Sequence, residues 1–167
     1  MNRNPNVRDL TNPLHFLSLG FGSGLIKPAP GTWGTLAALP VWWFCLAELG
    51  WQWFLLVILI SFVFGVFLCG YTANALGTHD HGSIVWDEFV GVWIALAFLP
   101  KTWLILLLGF LLFRLFDIIK PYPIKLLDKH VHGGFGIMID DVLAGVFAWC
   151  SLKLLMVVLA FFDIAIP

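Results

Sequence analysis

Charge is scarce in this sequence. Only 11% of its 167 residues are Asp, Glu, Lys or Arg, nine basic against ten acidic, for a net charge of −1. Net charge therefore says little about partners, and no nucleic acid is expected among them. Long polar stretches are also missing, which leaves no room for a separate soluble domain beside one compact unit over 1–167. Cysteine is sparse: Cys45, Cys69 and Cys150 lie inside apolar runs with no CxxC or Cys/His spacing, which excludes a structural zinc site and leaves packing as their role. The first eleven residues are polar and carry no apolar core of a signal peptide, so the first spanning helix is expected to direct insertion. Neither an internal repeat nor a low-complexity segment is present.

What the chain has instead is apolar mass. Hydrophobic residues make up 60%, aromatics 16%, and the mean hydropathy is +0.95, values outside the range of soluble domains. The expected class is all-α, a polytopic membrane bundle. Crossing the hydrocarbon takes about 20 residues, and five apolar runs approach that length: 33–49, 51–71, 84–99, 102–118 and 137–161. Only Gly50 separates the first two, and only Pro100 and Lys101 the next two, so each pair reads as a tight antiparallel hairpin. Residues 13–25 read as a short N-terminal interfacial helix.

Five crossings put the N-terminus and the loops 71–83 and 118–136 on one side. That side carries Arg3, Arg8, Lys27, Arg114, Lys120, Lys125 and Lys129, whereas the other offers Lys101, with Lys153 within the last span. By the positive-inside rule the first side is cytoplasmic.

Acidic residues gather at that same side. Asp87 and Glu88 open the third run, Asp117 closes the fourth, and Asp140 and Asp141 open the fifth. A carboxylate near hydrocarbon costs about 3 kcal/mol on insertion scales. First-turn acids are common because helix N-termini favour them, but Asp117 falls at a C-terminus, where the dipole opposes it. Hard oxygen ligands from several helices are what Mg²⁺ accepts, with waters and a substrate phosphate completing the octahedron. Glu88, Asp117, Asp140 and Asp141 are the expected metal ligands, and all five acids are the candidate catalytic set.

Cations flank the same surface. Arg114 lies one turn before Asp117, Lys120 just after it, and Lys27 in the segment leading to the first run. An Arg114–Asp117 pair within one helix, or anionic lipid held by Lys120, Lys125 and Lys129, accounts for them without a substrate; a phosphate would use the same charges. Thr32 is a plausible N-cap in the turn 27–35, leaving N–H groups free to attract phosphate. Gly133, Gly134 and Gly136 read as a flexible turn. Histidines His15, His79, His81, His130 and His132 show no ligand spacing, and Asp80 is the loop acid nearest the acidic pair. The candidate substrate-binding set is Lys27, Thr32, Arg114, Lys120 and Asp80.

Four ordered segments carry a further likeness: 22–40, IVWDEFVG at 84–91, RLFDIIKP at 114–121 and GIMIDDVLAG at 136–145. Together they span nearly the whole chain and resemble the phosphatidylglycerophosphatase A family of bacteria. The resemblance implies a Mg²⁺-dependent lipid phosphatase of the inner membrane, facing the cytoplasm, that hydrolyses phosphatidylglycerophosphate to phosphatidylglycerol and inorganic phosphate. Trp86 departs from the smaller aliphatic residue expected before the acidic pair, a matter of packing.

Attack by a metal-bound water is favoured over an aspartyl-phosphate route, because no DxDx[TV] motif is present. Two rivals remain in other classes. A CDP-alcohol phosphotransferase-like enzyme would need the long Asp-Gly…Ala-Arg…Asp motif, which is absent. A small cation transporter would need polar residues continuing across the bilayer, and the outer halves of these runs are almost wholly apolar.

Overall fold

The computed structural model describes residues 3–78 and 81–162, and every element among them is helical. A 3₁₀ turn at Val7–Thr11 leads into α1 (Pro13–Ser18) and a second 3₁₀ segment, Gly20–Leu25. Positive φ at Gly20, Phe21 and Gly22 breaks this region, so the expected interfacial helix is a short bent pair. It rests on the bundle through buried His15, whose Nδ1 lies 2.9 Å from Thr72 Oγ1, and through buried Leu19.

α2 (Pro30–Val41) continues as a five-residue π-helix, Trp42–Leu46; α3 (Trp51–Leu76) and α4 (Trp86–Ala95) follow. Then come α5 (Trp103–Ile119), α6 (Ile124–His130) and α7 (Gly133–Phe161). Glycines set the closest approaches. A Cβ on Gly134 would lie 1.8 Å from the Val66 carbonyl oxygen, and one on Gly145 would lie 2.3 Å from that of Gly91. α7 is thus pressed backbone to backbone against both α3 and α4. Gly133 and Gly134 belong to this docked helix start rather than to a flexible turn.

Among the described residues two helices, α3 (26 residues) and α7 (29 residues), are long and apolar enough to cross a membrane, and only 22% of each apolar window is buried. The outward face of α3 presents Leu55, Leu56, Leu59, Ile60, Val63 and Phe67. α5, at 17 residues, and α2, at twelve plus its π-continuation, are shorter. The expected third span, 84–99, contains only the ten residues of α4, about 15 Å of helix at 1.5 Å per residue. Nine of those ten are buried. α4 is the core of the bundle, surrounded by α2, α3, α5 and α7. Trp86, the bulky departure, fits there by stacking on Phe89 (centroids 5.6 Å apart) and donating Nε1–H to the Ser61 carbonyl at 3.1 Å.

Candidate active site

α2, α4 and α7 begin, and α3 and α5 end, at one end of the bundle. Pro30 opens α2 behind Ala29, which adopts the left-handed conformation (φ 58°). The N-cap is therefore Ala29, not Thr32, which lies inside the first turn. Helix geometry leaves the Gly31 and Thr32 N–H groups without intrahelical acceptors. A Cβ on Gly31 would fall 2.1 Å from Glu88 Oε1 and 3.2 Å from Arg114 Nη1. Only glycine lets the α2 terminus approach the Glu88–Arg114 pair this closely.

Glu88, in the first turn of α4, is buried, and its Oε2 accepts from Thr35 Oγ1 at 2.7 Å and from Arg114 Nη1. The same Nη1 lies 2.8 Å from Asp117 Oδ2, so one guanidinium joins acids from two helices. Asp87, beside Glu88, accepts from the Glu88 N–H at 3.0 Å through Oδ1. Lys120 closes α5 in the left-handed conformation (φ 46°), and its Nζ reaches Asp128 at 2.5 Å and Asp140 at 2.6 Å. Partial burial opposes the lysine's charge, but these two carboxylates outweigh it and hold the ammonium well above the ordinary lysine range.

Asp140 and Asp141 lie two turns into α7, because the helix starts at Gly133 rather than near Ile137. Both are buried. Asp141 is 3% exposed and lies within electrostatic range of Asp117, Glu88, Asp87 and Asp140, and of Arg114. Acids spread over more than fifty residues of sequence thus converge. Among the described residues, no three His, Cys, Asp or Glu side chains stand close enough to ligate one ion directly as they are arranged. Among the described residues, the buried acceptor Asp141 Oδ2 and the buried donor Arg114 Nε have no hydrogen-bond partner. Buried polar atoms are nearly always paired, so this acceptor and this donor are free to meet a ligand.

Lys27, His81 and His130 stand apart from this cluster. Lys27 is exposed on the segment before α2, and among the described residues no ion pair reaches it. Asp80 and His79 lie outside the described residues. His81 Nε2 lies 3.2 Å from Asn4 Oδ1, and His130 Nδ1 lies 2.8 Å from the Leu126 carbonyl oxygen, neither in contact with the acids. Sequence reasoning missed Thr35 and Asp128. Thr35 could have been found as the polar residue one turn after Gly31 on an otherwise apolar helix. Asp128, three residues after Lys125 in a basic segment, carried no comparable signal.

Buried carboxylates gathered by a guanidinium beside two helix N-termini make a candidate centre whose chemistry would suit a phosphate ester. Residues 16–156 match the sequence profile described as phosphatidylglycerophosphatase A. Phosphatidylglycerophosphatase A of Escherichia coli (strain K12) is 52% identical over 138 residues, covering 82% of this chain and 80% of that protein. The Haemophilus influenzae protein of the same name is 54% identical over 140 residues, covering 83% and 86%. A Bacteroides thetaiotaomicron relative, 36% identical over 140 residues and covering 80% and 87%, is named, provisionally, a phosphatidylinositol-3-phosphatase. No solved structure matches the chain. The chain belongs to the phosphatidylglycerophosphatase A family and is a phosphatase.

Proposed function

We propose that this protein hydrolyses phosphatidylglycerophosphate to phosphatidylglycerol and inorganic phosphate, with Mg²⁺, at the cytoplasmic face of the bacterial inner membrane. The observation that carries the reading is the pairing of an unsatisfied buried acceptor, Asp141 Oδ2, with an unsatisfied buried donor, Arg114 Nε, in one cluster. Two relatives bearing the phosphatidylglycerophosphatase name support the choice of substrate.

The donor set fits Mg²⁺ in kind. Asp87, Glu88, Asp117, Asp140 and Asp141 outnumber the buried-side cations Arg114 and Lys120, and all offer hard oxygen. Mg²⁺ keeps several waters, which agrees with acids that converge without forming a ready chelate. Glu88, Asp117, Asp140 and Asp141 would hold the ion, which when bound supplies charge neutralisation and a more acidic water.

The chain's own residues carry the remaining work. Arg114, whose Nη1 is taken up by Glu88 and Asp117, can donate its unpaired Nε–H to a phosphoryl oxygen. The Gly31 and Thr32 N–H groups and the α2 dipole favour the same anion. Thr35 fixes the Glu88 carboxylate through Oγ1, and Lys120 fixes Asp140. Positioning and preorganised charge are most of what a protein contributes to phosphoryl transfer.

Membrane placement rests on the exposed apolar faces of α3 and α7: a soluble protein rarely leaves such continuous apolar surface in water. α5 and the α2–π segment lie alongside as shorter crossings, tolerated where a bilayer thins locally. Basic residues Lys120, Lys125 and Lys129 at the acidic end make that end cytoplasmic. The direct test is phosphate release from phosphatidylglycerophosphate by protein purified in detergent, beside Asp117→Asn. Release by the wild type and its loss in the variant are expected; no release by well-folded wild type removes the reading.

A further inference from the structure

The proposed substrate brings hydrocarbon chains to a polar centre, and the fold offers one of them a route. Along one side of α2 and its π-continuation, Leu36, Leu39, Pro40, Trp43 and Phe44 recur at i, i+3, i+4, i+7 and i+8, a single helical face. Across from them stand Trp103 and Leu106 of α5, and between the two helices lies an all-apolar groove of about 240 Å³. That volume is below the ~300–1,000 Å³ usual for small-molecule pockets, and it suits one slender chain.

The groove runs toward the acidic centre, reaching Leu36 on the α2 wall and stopping at Leu106, about two turns before Arg114, on the α5 wall. Leu36 directly follows Thr35, whose hydroxyl holds Glu88, and Leu39 stands one turn beyond it. Trp103 precedes Arg114 by eleven residues, three turns of helix, and so shares its face at about 16 Å along the axis. That length is about half of the ~30 Å hydrocarbon thickness, the reach of a chain in one leaflet. At the far end the Trp43 and Trp103 rings stack with centroids 4.3 Å apart. Pro40 and the π-helix keep α2 from regular packing here: the proline lacks the N–H that a regular helix would donate to Leu36, and π-turns inside helices frequently mark functional positions.

We propose that an acyl chain of the lipid substrate lies in the groove between α2 and α5, with the Trp43–Trp103 pair as its far stop. This rests on the lipid-phosphatase reading above, and two independent readouts separate them. The first is kinetic: Leu39→Trp fills the groove, and Leu36→Phe narrows its exposed rim where folding is not at stake. Either variant should lower, by about tenfold, the ratio of kcat/KM for long-chain over short-chain phosphatidylglycerophosphate. An unaltered ratio overturns the groove, whereas absent wild-type turnover overturns the substrate reading alone.

The second readout needs no turnover. A phosphatidylglycerophosphate analogue bearing a diazirine at the end of one acyl chain is photolysed with the protein in nanodiscs, and adducts are mapped by mass spectrometry. Adducts concentrated at Trp43, Phe44 and Trp103, displaced by unlabelled phosphatidylglycerophosphate and not by phosphatidylcholine, are expected. Adducts instead in the larger hollow lined by Ile58, Phe62 and Ile139, spread evenly over the outer faces of α3 and α7, or displaced equally by either lipid, overturn the proposal.

Discussion

At the end where α2, α4 and α7 begin, four carboxylates are buried and a fifth, Asp117, nearly so, knitted by Arg114 and Lys120. At the opposite end Lys101 pairs with Glu48 at 2.6 Å, but Glu48's side chain is 81% exposed. Lys153 there donates to the Phe98 carbonyl at 3.3 Å and lies over Trp149. Similar residue types thus serve unlike ends. Exposed pairs gain little because water competes for both partners. Buried groups lose their hydration and keep their charge only through partners or a ligand, so a fold retains such a cluster at a cost that activity must justify.

Substitutions at the two ends should therefore differ sharply in effect. Asp141→Asn removes the charge of the most deeply buried acid while nearly preserving its shape, and phosphate release should fall at least about 100-fold. A purified variant with unchanged circular dichroism and near wild-type turnover would erase the distinction between the ends. Arg114→Ala leaves Glu88 and Asp117 facing one another without a guanidinium. Denaturation in detergent should register a loss of about 3 kcal/mol, accompanied by inactivity; a melting curve superimposable on the wild type's would show that the guanidinium does not knit the two helices.

Thr35→Val deletes one buried hydroxyl that fixes Glu88. Its expected stability loss is about 1 kcal/mol, with activity reduced by about 10- to 100-fold. Activity loss larger than that of Asp141→Asn would give Thr35 a direct part in the chemistry. Glu48→Gln, at the exposed end, should alter neither the melting temperature nor turnover. A clear drop in either would mean that the far pair is as consequential as the near one.

Much of the near end was legible in the sequence because charge is so rare there. Each of Asp87, Glu88, Asp117, Asp140 and Asp141 interrupts an apolar run, and an interruption is easy to see. Thr35 was not legible, since one threonine on an apolar helix is ordinary until its partner across the bundle is known. Asp128 sat in a polar, basic segment where another charge carries no signal. The five apolar runs exist as helices, but hydropathy does not distinguish contact with lipid from contact with other helices. Residues 84–99 are apolar because α4 is enclosed by protein, and its end is set by Leu96, whose N–H still bonds to Val92, and by the left-handed Phe98. No glycine or proline announces that stop before Pro100. Conversely, α7 extends four residues ahead of the apolar run, since Gly133 to Gly136 form helix once pressed against α3 and against the Val131 carbonyl.

Divalent-ion dependence tests the convergence of the acids most directly. Purified protein should be stripped with EDTA, passed into chelator-free buffer, and assayed for phosphate release from phosphatidylglycerophosphate across a Mg²⁺ titration. Release should be abolished by the chelator and restored saturably by Mg²⁺, with the half-saturating concentration raised in Asp141→Asn. Full activity in EDTA, or a titration curve that Asp141→Asn leaves unmoved, would contradict a shared carboxylate centre for metal and phosphate.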